Sequence, residues 1–186
     1  MGVMSPEKFK PEIGEEVLSD LRRRLKSARF APDFGNADWS YGVEGNYLKS
    51  LVDYWIDEFD WSAQAEAINA FDHFRVTVDN IPLHYMHRCG VGPAPIPIVL
   101  THGWPWTFWD FRELIGPLSD PAAFGGDPAD AFDVIVPSLP GFGFSTPLRR
   151  SINYWQTADL WHKLMTEVLG YQRFCAHGGD WGAIVT

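Results

Sequence analysis

Beyond Phe71 the hydrophobic period of this 186-residue chain changes from that of a helix to that of a strand, and this change constrains the architecture more than any other feature. Phe74, Val76 and Val78 alternate with Arg75 and Thr77, the pattern of a half-buried strand. Asp79-Asn80 suits a two-residue turn, and Ile81 to His87 returns as a second strand, so the segment reads as a β-hairpin. The Gly/Pro-rich stretch Gly90 to Pro97 is a loop. Short β-rich runs follow at Ile98 to Thr101, Phe132 to Pro137 and Arg173 to His177, with helical patterns between them. Strand, helix, strand at that spacing makes parallel βαβ units, and the expected class is α/β with a mostly parallel sheet opened by a hairpin.

The residues before this region follow the other period. Val17, Leu18, Leu21 and Leu25 recur at helical spacing, while Arg22, Arg23, Arg24 and Lys26 occupy the remaining faces. The basic cluster fits a solvated helix face or a binding patch. Leu48, Leu51, Val52, Trp55, Ile56 and Phe59 define a second amphipathic helix, and Asp60 suits the N-cap of a shorter one through Ile68. No repeat or low-complexity tract interrupts the pattern. The expected organisation is a helical N-terminal arm over residues 1–70 and an α/β region over 71–186.

Composition narrows the classes of function. A 46% hydrophobic, 21% charged chain has the apolar content for a packed core. Its net charge of -9 disfavours nucleic acid, which calls for a cationic face, and a neutral substrate fits better. Cys89 and Cys175 give neither a disulfide framework nor metal spacing. Met1 to Pro11 lacks the apolar stretch of a signal peptide, no later run would span a bilayer, and Pro6 spoils a myristoylation signal at Met1-Gly2. A soluble, cytoplasmic protein is the expectation.

The chemistry concentrates after the last strand. Gly178-Gly179-Asp180-Trp181-Gly182 is a tight turn leading into the apolar run from Ala183, the shape of a nucleophile elbow, with small residues where the turn is too crowded for side chains. Asp180 stands where a serine is usual. A carboxylate with an ordinary pKa of about 3.9 is already ionised near neutral pH and needs no base to attack. A helix beginning at Trp181 would turn its N-terminal dipole toward that anion. Gly-Gly-Asp alone equally fits a surface turn in which Asp caps a helix.

Two further segments bear on the choice. His102-Gly103-Trp104-Pro105 follows directly on the strand Ile98 to Thr101, where an oxyanion hole would be supplied. The backbone N–H groups of Trp104 and Trp181 would then face one acyl oxygen, each donor contributing about 3 to 4 kcal/mol in the transition state. His102 itself reads as a turn residue whose ring packs nearby. Gly141-Phe142-Gly143-Phe144-Ser145 is a loop at a strand's carboxyl end, where ligand sites of open α/β sheets lie, and it lacks the third glycine of a dinucleotide fingerprint. No cofactor is implied.

These three motifs in this order resemble the epoxide hydrolases of the α/β-hydrolase superfamily. The arm, with Leu21-Arg22-Arg23-Arg24-Leu25, Tyr47-Leu48, Asp53-Tyr54-Trp55 and Phe59-Asp60-Trp61, is similar to the N-terminal segment of the microsomal and juvenile-hormone branch. The resemblance implies the N-terminal part of an α/β-hydrolase fold. It also implies a two-step reaction on a small apolar epoxide: Asp180 forms an ester, and water then releases a vicinal diol, with Trp104 and Trp181 as oxyanion donors. It places the lid tyrosines that act as acid, the histidine base and its carboxylate partner C-terminal to the elbow. Tyr154 and Tyr171 precede Asp180 and do not inherit the lid role, nor does His177 inherit that of the base. The sequence ends at Thr186, so the expectation is a fragment without turnover by itself. A haloalkane dehalogenase shares the Asp elbow but usually carries Asn at the position of Trp104. A non-catalytic truncated binding protein or pseudoenzyme is the alternative of another class.

Overall fold

The computed structural model describes residues 5–186, so the myristoylation reading at Met1-Gly2 lies outside the described residues. The chain forms two compact units, Glu12–Ala67 and a second made of the residues up to Pro11 with Ile68–Thr186.

The first unit is helical. Helix α1 (Glu15–Lys26) carries Glu15 and Glu16 in its first turn and Arg23, Arg24 and Lys26 in its last, matching the helix dipole at both ends. The basic run is paired within the helix: Arg22 reaches Glu15 at 3.0 Å, and Asp20 holds both Arg23 and Arg24. Helix α2 (Gly45–Asp57) starts at Glu44, whose carboxylate accepts from the N–H groups of Asn46 and Tyr47. Helix α3 (Trp61–Asn69) starts where expected, with Asp60 Oδ1 accepting from Ala63 N–H at 3.0 Å.

The second unit is built on a six-stranded sheet. Its strands are β1 (Glu7–Phe9), β2 (His73–Val78), β3 (Ile81–Arg88), β4 (Ile96–Thr101), β5 (Phe132–Pro137) and β6 (Cys175–Gly178), in the spatial order β1-β2-β3-β5-β4-β6. Asp79 and Asn80 both take positive φ, as the tight turn between β2 and β3 requires. The sheet is mixed: only β5, β4 and β6 run parallel, whereas β1, β2 and β3 join antiparallel. The mostly parallel character expected from the sequence is therefore confined to the half with helical crossovers. Hairpin geometry fixes the direction of β3, and β1 was not anticipated because three residues are too few to show a period.

The parallel strands alternate strictly between the two faces. Val99 and Ile135 pack with Leu160, Trp161, Leu164 and Met165, which belong to helix α5 (Tyr154–Lys163) and the π-helical turn that extends it. Leu100, Val134 and Val136 face the other way, onto Ile115 of helix α4 (Arg112–Ser119) and onto Phe108 and Phe111. One crossover takes the chain from β4 to β5 and the next from β5 to the far side of β4, so the strand order reverses at β4. Crevices at the carboxyl ends of strands flanking such a reversal are the preferred ligand sites of open α/β sheets.

Cys89 and Cys175 are free and exposed. No helix among the described residues is long and apolar enough to cross a membrane.

Candidate active site

Strand register brings the two expected loops together. β4 pairs with β6 so that Leu100 lies opposite His177 and Thr101 opposite Gly178. Both strands run in the same direction, so the chains leaving them emerge side by side. Trp104, three residues beyond Thr101, meets Asp180, two beyond Gly178, across 76 residues of sequence, and its N–H donates to Asp180 Oδ1 at 2.9 Å.

The turn at Asp180 is strained. With φ 53° and ψ -123°, Asp180 is a non-glycine residue at positive φ, which costs on the order of 1 to 3 kcal/mol and lifts its carboxylate clear of the sheet. Helix α6 (Trp181–Val185) follows at once, and Gly182 explains how it can begin there. A Cβ on Gly182 would fall 2.0 Å from the Thr101 carbonyl oxygen, and one on Gly103 would fall 2.6 Å from Asp180 Cβ. Gly179 has open space around it. Gly182→Ala is therefore expected to destabilise the protein by about 1 to 3 kcal/mol through overpacking. Gly179→Ala leaves stability unchanged or slightly higher, and urea denaturation of the two variants beside the parent checks the contrast.

The electrostatics favour an anion at this point. The N–H of Trp104, and after it that of Trp181, hold the Asp180 carboxyl below the ordinary carboxylate range although the side chain is exposed. At five residues α6 is too short for its dipole to contribute much, so the Trp104 N–H, 2.9 Å from Oδ1, carries most of the effect. The Trp181 indole packs against the rings of Trp104, Phe142 and Tyr154 at centroid distances of 6.3, 5.8 and 5.8 Å. The residue after Asp180 thus joins an aromatic cluster contributed by all three sequence motifs and the first residue of α5.

His102 packs its ring nearby, as read, and its two ring nitrogens are also engaged. It is buried, Nδ1 lies 2.9 Å from the Gly103 carbonyl oxygen, and Nε2 accepts from Leu139 N–H at 3.0 Å. Burial keeps its imidazole below the ordinary range, against the opposing pull of the Gly103 carbonyl and Asp110. His177 lies on β6 and is exposed. Tyr171 sits near the amino end of β5, where its hydroxyl donates to Asp133 Oδ2 at 3.1 Å. The described residues contain no group of three or more His, Cys, Asp or Glu arranged to hold a metal ion.

A second polar cluster, not read from the sequence, supports the loop after β5. His73 Nε2 contacts the Ile68 carbonyl at 2.8 Å, His73 Nδ1 contacts His84 Nε2 at 2.9 Å, and His84 Nδ1 contacts Ser138 Oγ at 2.9 Å. Ser145 Oγ donates to the Ser138 carbonyl and accepts from His84 N–H, tying the end of the Gly141–Ser145 loop to β3.

Comparison with known proteins agrees with this architecture. The family model described as epoxide hydrolase N terminus matches residues 6–111, and that of the alpha/beta hydrolase fold matches residues 96–186. The chain is 38% identical to epoxide hydrolase 1 of Oryctolagus cuniculus over 95% of its own length and 40% of the relative's. It is 32% identical to juvenile hormone epoxide hydrolase 2 of Ctenocephalides felis over 94% and 38% of the two lengths. The crystal structure of juvenile hormone epoxide hydrolase from Bombyx mori superposes with a TM-score of 0.82 at 29% identity, over 97% of this chain and 43% of that one. The chain thus spans about 40% of the length of the curated relatives it matches. With more than half of its residues matched by the epoxide hydrolase N-terminal model and residues 96–186 by the hydrolase fold, the chain belongs to the epoxide hydrolases of the α/β-hydrolase superfamily.

Proposed function

We propose that the protein carrying this chain opens a small apolar epoxide to a vicinal diol through an ester on Asp180. The observation that carries the reading is the Trp104 N–H bond to Asp180 Oδ1, in an elbow that leaves Asp180 exposed and sets the next residue, Trp181, among aromatic rings. Held by this N–H, Oδ1 becomes the ester carbonyl oxygen and Oδ2 is the attacking atom. Oδ2 bonds to an epoxide carbon, the ring C–O bond breaks, and its electron pair goes to the ring oxygen, which takes up a proton. Water then adds to Cγ of the ester and pushes an electron pair onto Oδ1, opposite the N–H groups of Trp104 and Trp181. Collapse of this intermediate expels the diol oxygen, which is protonated, and regenerates the carboxylate. Net consumption is one water per epoxide.

Neither nearby histidine suits the role of base for that water. His102 has both ring nitrogens engaged, and His177 precedes the elbow on β6. Residues 1–186 alone are therefore expected to give no turnover, and the test is made on the intact protein. In a single turnover in ¹⁸O-water, label enters the Asp180 carboxylate while the first diol carries an unlabelled oxygen from Asp180 Oδ2. Label in the diol of the first turnover, with none in Asp180 by peptide mass spectrometry, refutes the ester route.

A further inference from the structure

We infer that His102 is a positioning residue for the oxyanion donor, clamping the Gly103–Trp104 peptide whose N–H faces Asp180. The inference rests on the reading of Asp180 as the nucleophile. A backbone N–H can only donate, so the 3.0 Å contact from Leu139 N leaves His102 Nε2 without a proton. The ring proton of the neutral imidazole must then sit on Nδ1, where it donates to the Gly103 carbonyl at 2.9 Å. One tautomer satisfies both partners, and a protonated ring would lose the bond from Leu139.

The Gly103 carbonyl and the Trp104 N–H belong to one planar peptide group. Holding its oxygen therefore sets the direction of its N–H, which reaches Asp180 Oδ1 at 2.9 Å. Gly103 has no side chain with which to fix that rotation, and the Asp180 side chain leaves no room for one. The clamp is itself anchored, because Leu139 follows β5 while His102 follows β4, so the imidazole bridges the ends of two adjacent strands. Phe142 covers the ring at a centroid distance of 5.6 Å, and the side chain is shut off from solvent. A hydrogen bond to the carbonyl also polarises the peptide and strengthens its N–H as a donor.

The two chemical steps depend on this donor unequally. Ester formation draws on Oδ2, whereas ester hydrolysis develops full negative charge on Oδ1. A Trp104 N–H left free to rotate should slow hydrolysis and spare alkylation.

The experiment uses the intact protein with His102→Leu and His102→Gln, following the Asp180 ester by rapid quench and intact-mass spectrometry. His102→Leu is expected to lower ester hydrolysis about ten- to a hundredfold, less than outright loss of a donor. The alkylation rate should hardly change, so the covalent adduct accumulates. Gln can donate to the Gly103 carbonyl and accept from Leu139 N–H, and should recover most of the loss. A substrate-free readout is the ¹⁵N spectrum of the parent's His102, which should show Nδ1 protonated and Nε2 bare. A proton on Nε2, or equal slowing of both steps in His102→Leu with no rescue by Gln, overturns the assignment. If the parent itself forms no ester on Asp180, the nucleophile reading fails instead, while the nitrogen spectrum still decides the clamp.

Discussion

Asp180→Asn in the intact protein is expected to lower epoxide turnover by at least about 10⁴-fold while leaving the fold in place. Asn is nearly isosteric and keeps an oxygen for the Trp104 N–H. What it lacks is the anionic Oδ2 that attacks the epoxide in the proposed reaction. The measurement is diol formation at saturating substrate, with near-ultraviolet circular dichroism confirming native packing. Turnover within tenfold of the parent would remove Asp180 from the chemistry. In the parent, the two N–H groups that hold the Asp180 carboxyl below its ordinary range also keep it ionised as the pH falls. Loss of nucleophile through protonation should therefore begin only below the usual carboxylate range, near pH 4.

Acid should weaken the folded sheet before it protonates the Asp180 carboxylate. The buried histidine pair has a fixed proton order, because the Ile68 carbonyl can only accept. His73 Nε2 must donate to it, His73 Nδ1 then accepts from His84 Nε2, and His84 Nδ1 accepts from the Ser138 hydroxyl. Adding a proton to either ring would place a positive charge in this buried site beside its partner ring. Burial, with His73 and Arg75 nearby, pushes His84 down to about 3, and burial lowers His73 too. The unfolded chain takes up these protons near pH 6.5 and the folded one does not. Stability is accordingly complete above about pH 6.5 and falls as the pH drops toward 3. For His84 alone the loss is about 1.4 kcal/mol per pH unit, or about 3 kcal/mol between pH 7 and pH 4. Urea titrations of the intact protein across that range test it. His84→Asn, which cannot protonate, should be less stable than the parent at pH 7 yet lose less on acidification. Equal slopes in both proteins would refute the account.

Features legible in the sequence share one property: each is encoded by neighbours along the chain. The alternation of Phe74, Val76 and Val78 and the Asp79-Asn80 turn carry their meaning within a few residues, and the structure places both as read; of the glycines around Asp180, Gly182 meets the distant Thr101 carbonyl and Gly179 lies in open space. The meeting of Trp104 with Asp180 could be read because a buried strand leads directly into His102-Gly103-Trp104-Pro105. What escaped depends on partners far apart. His84 and Ser138 are 54 residues apart, and His102 and Leu139 are 37 apart, so nothing local marks these histidines as more than polar interruptions of apolar runs. The position of β6 beside β4 is equally invisible, since strand order is decided by crossovers packing onto opposite faces of the sheet. The basic run of α1 shows the converse, because its pairing with Glu15 and Asp20 lies within one helix and follows from spacing alone.

The β4–β6 ladder also acts as a ruler. Four consecutive pairings, Ile98 with Cys175 through Thr101 with Gly178, set how far along the sheet the Trp104 and Asp180 turns emerge. A slip of one residue would carry the elbow about 3.3 Å along the strand and turn alternate side chains to the opposite face, leaving nucleophile and donor without a common oxygen. Under the proposed chemistry, competence would follow sheet register. Substitutions that loosen this ladder should divide the molecules into an active and a silent population, instead of producing a continuum of slightly poorer enzymes.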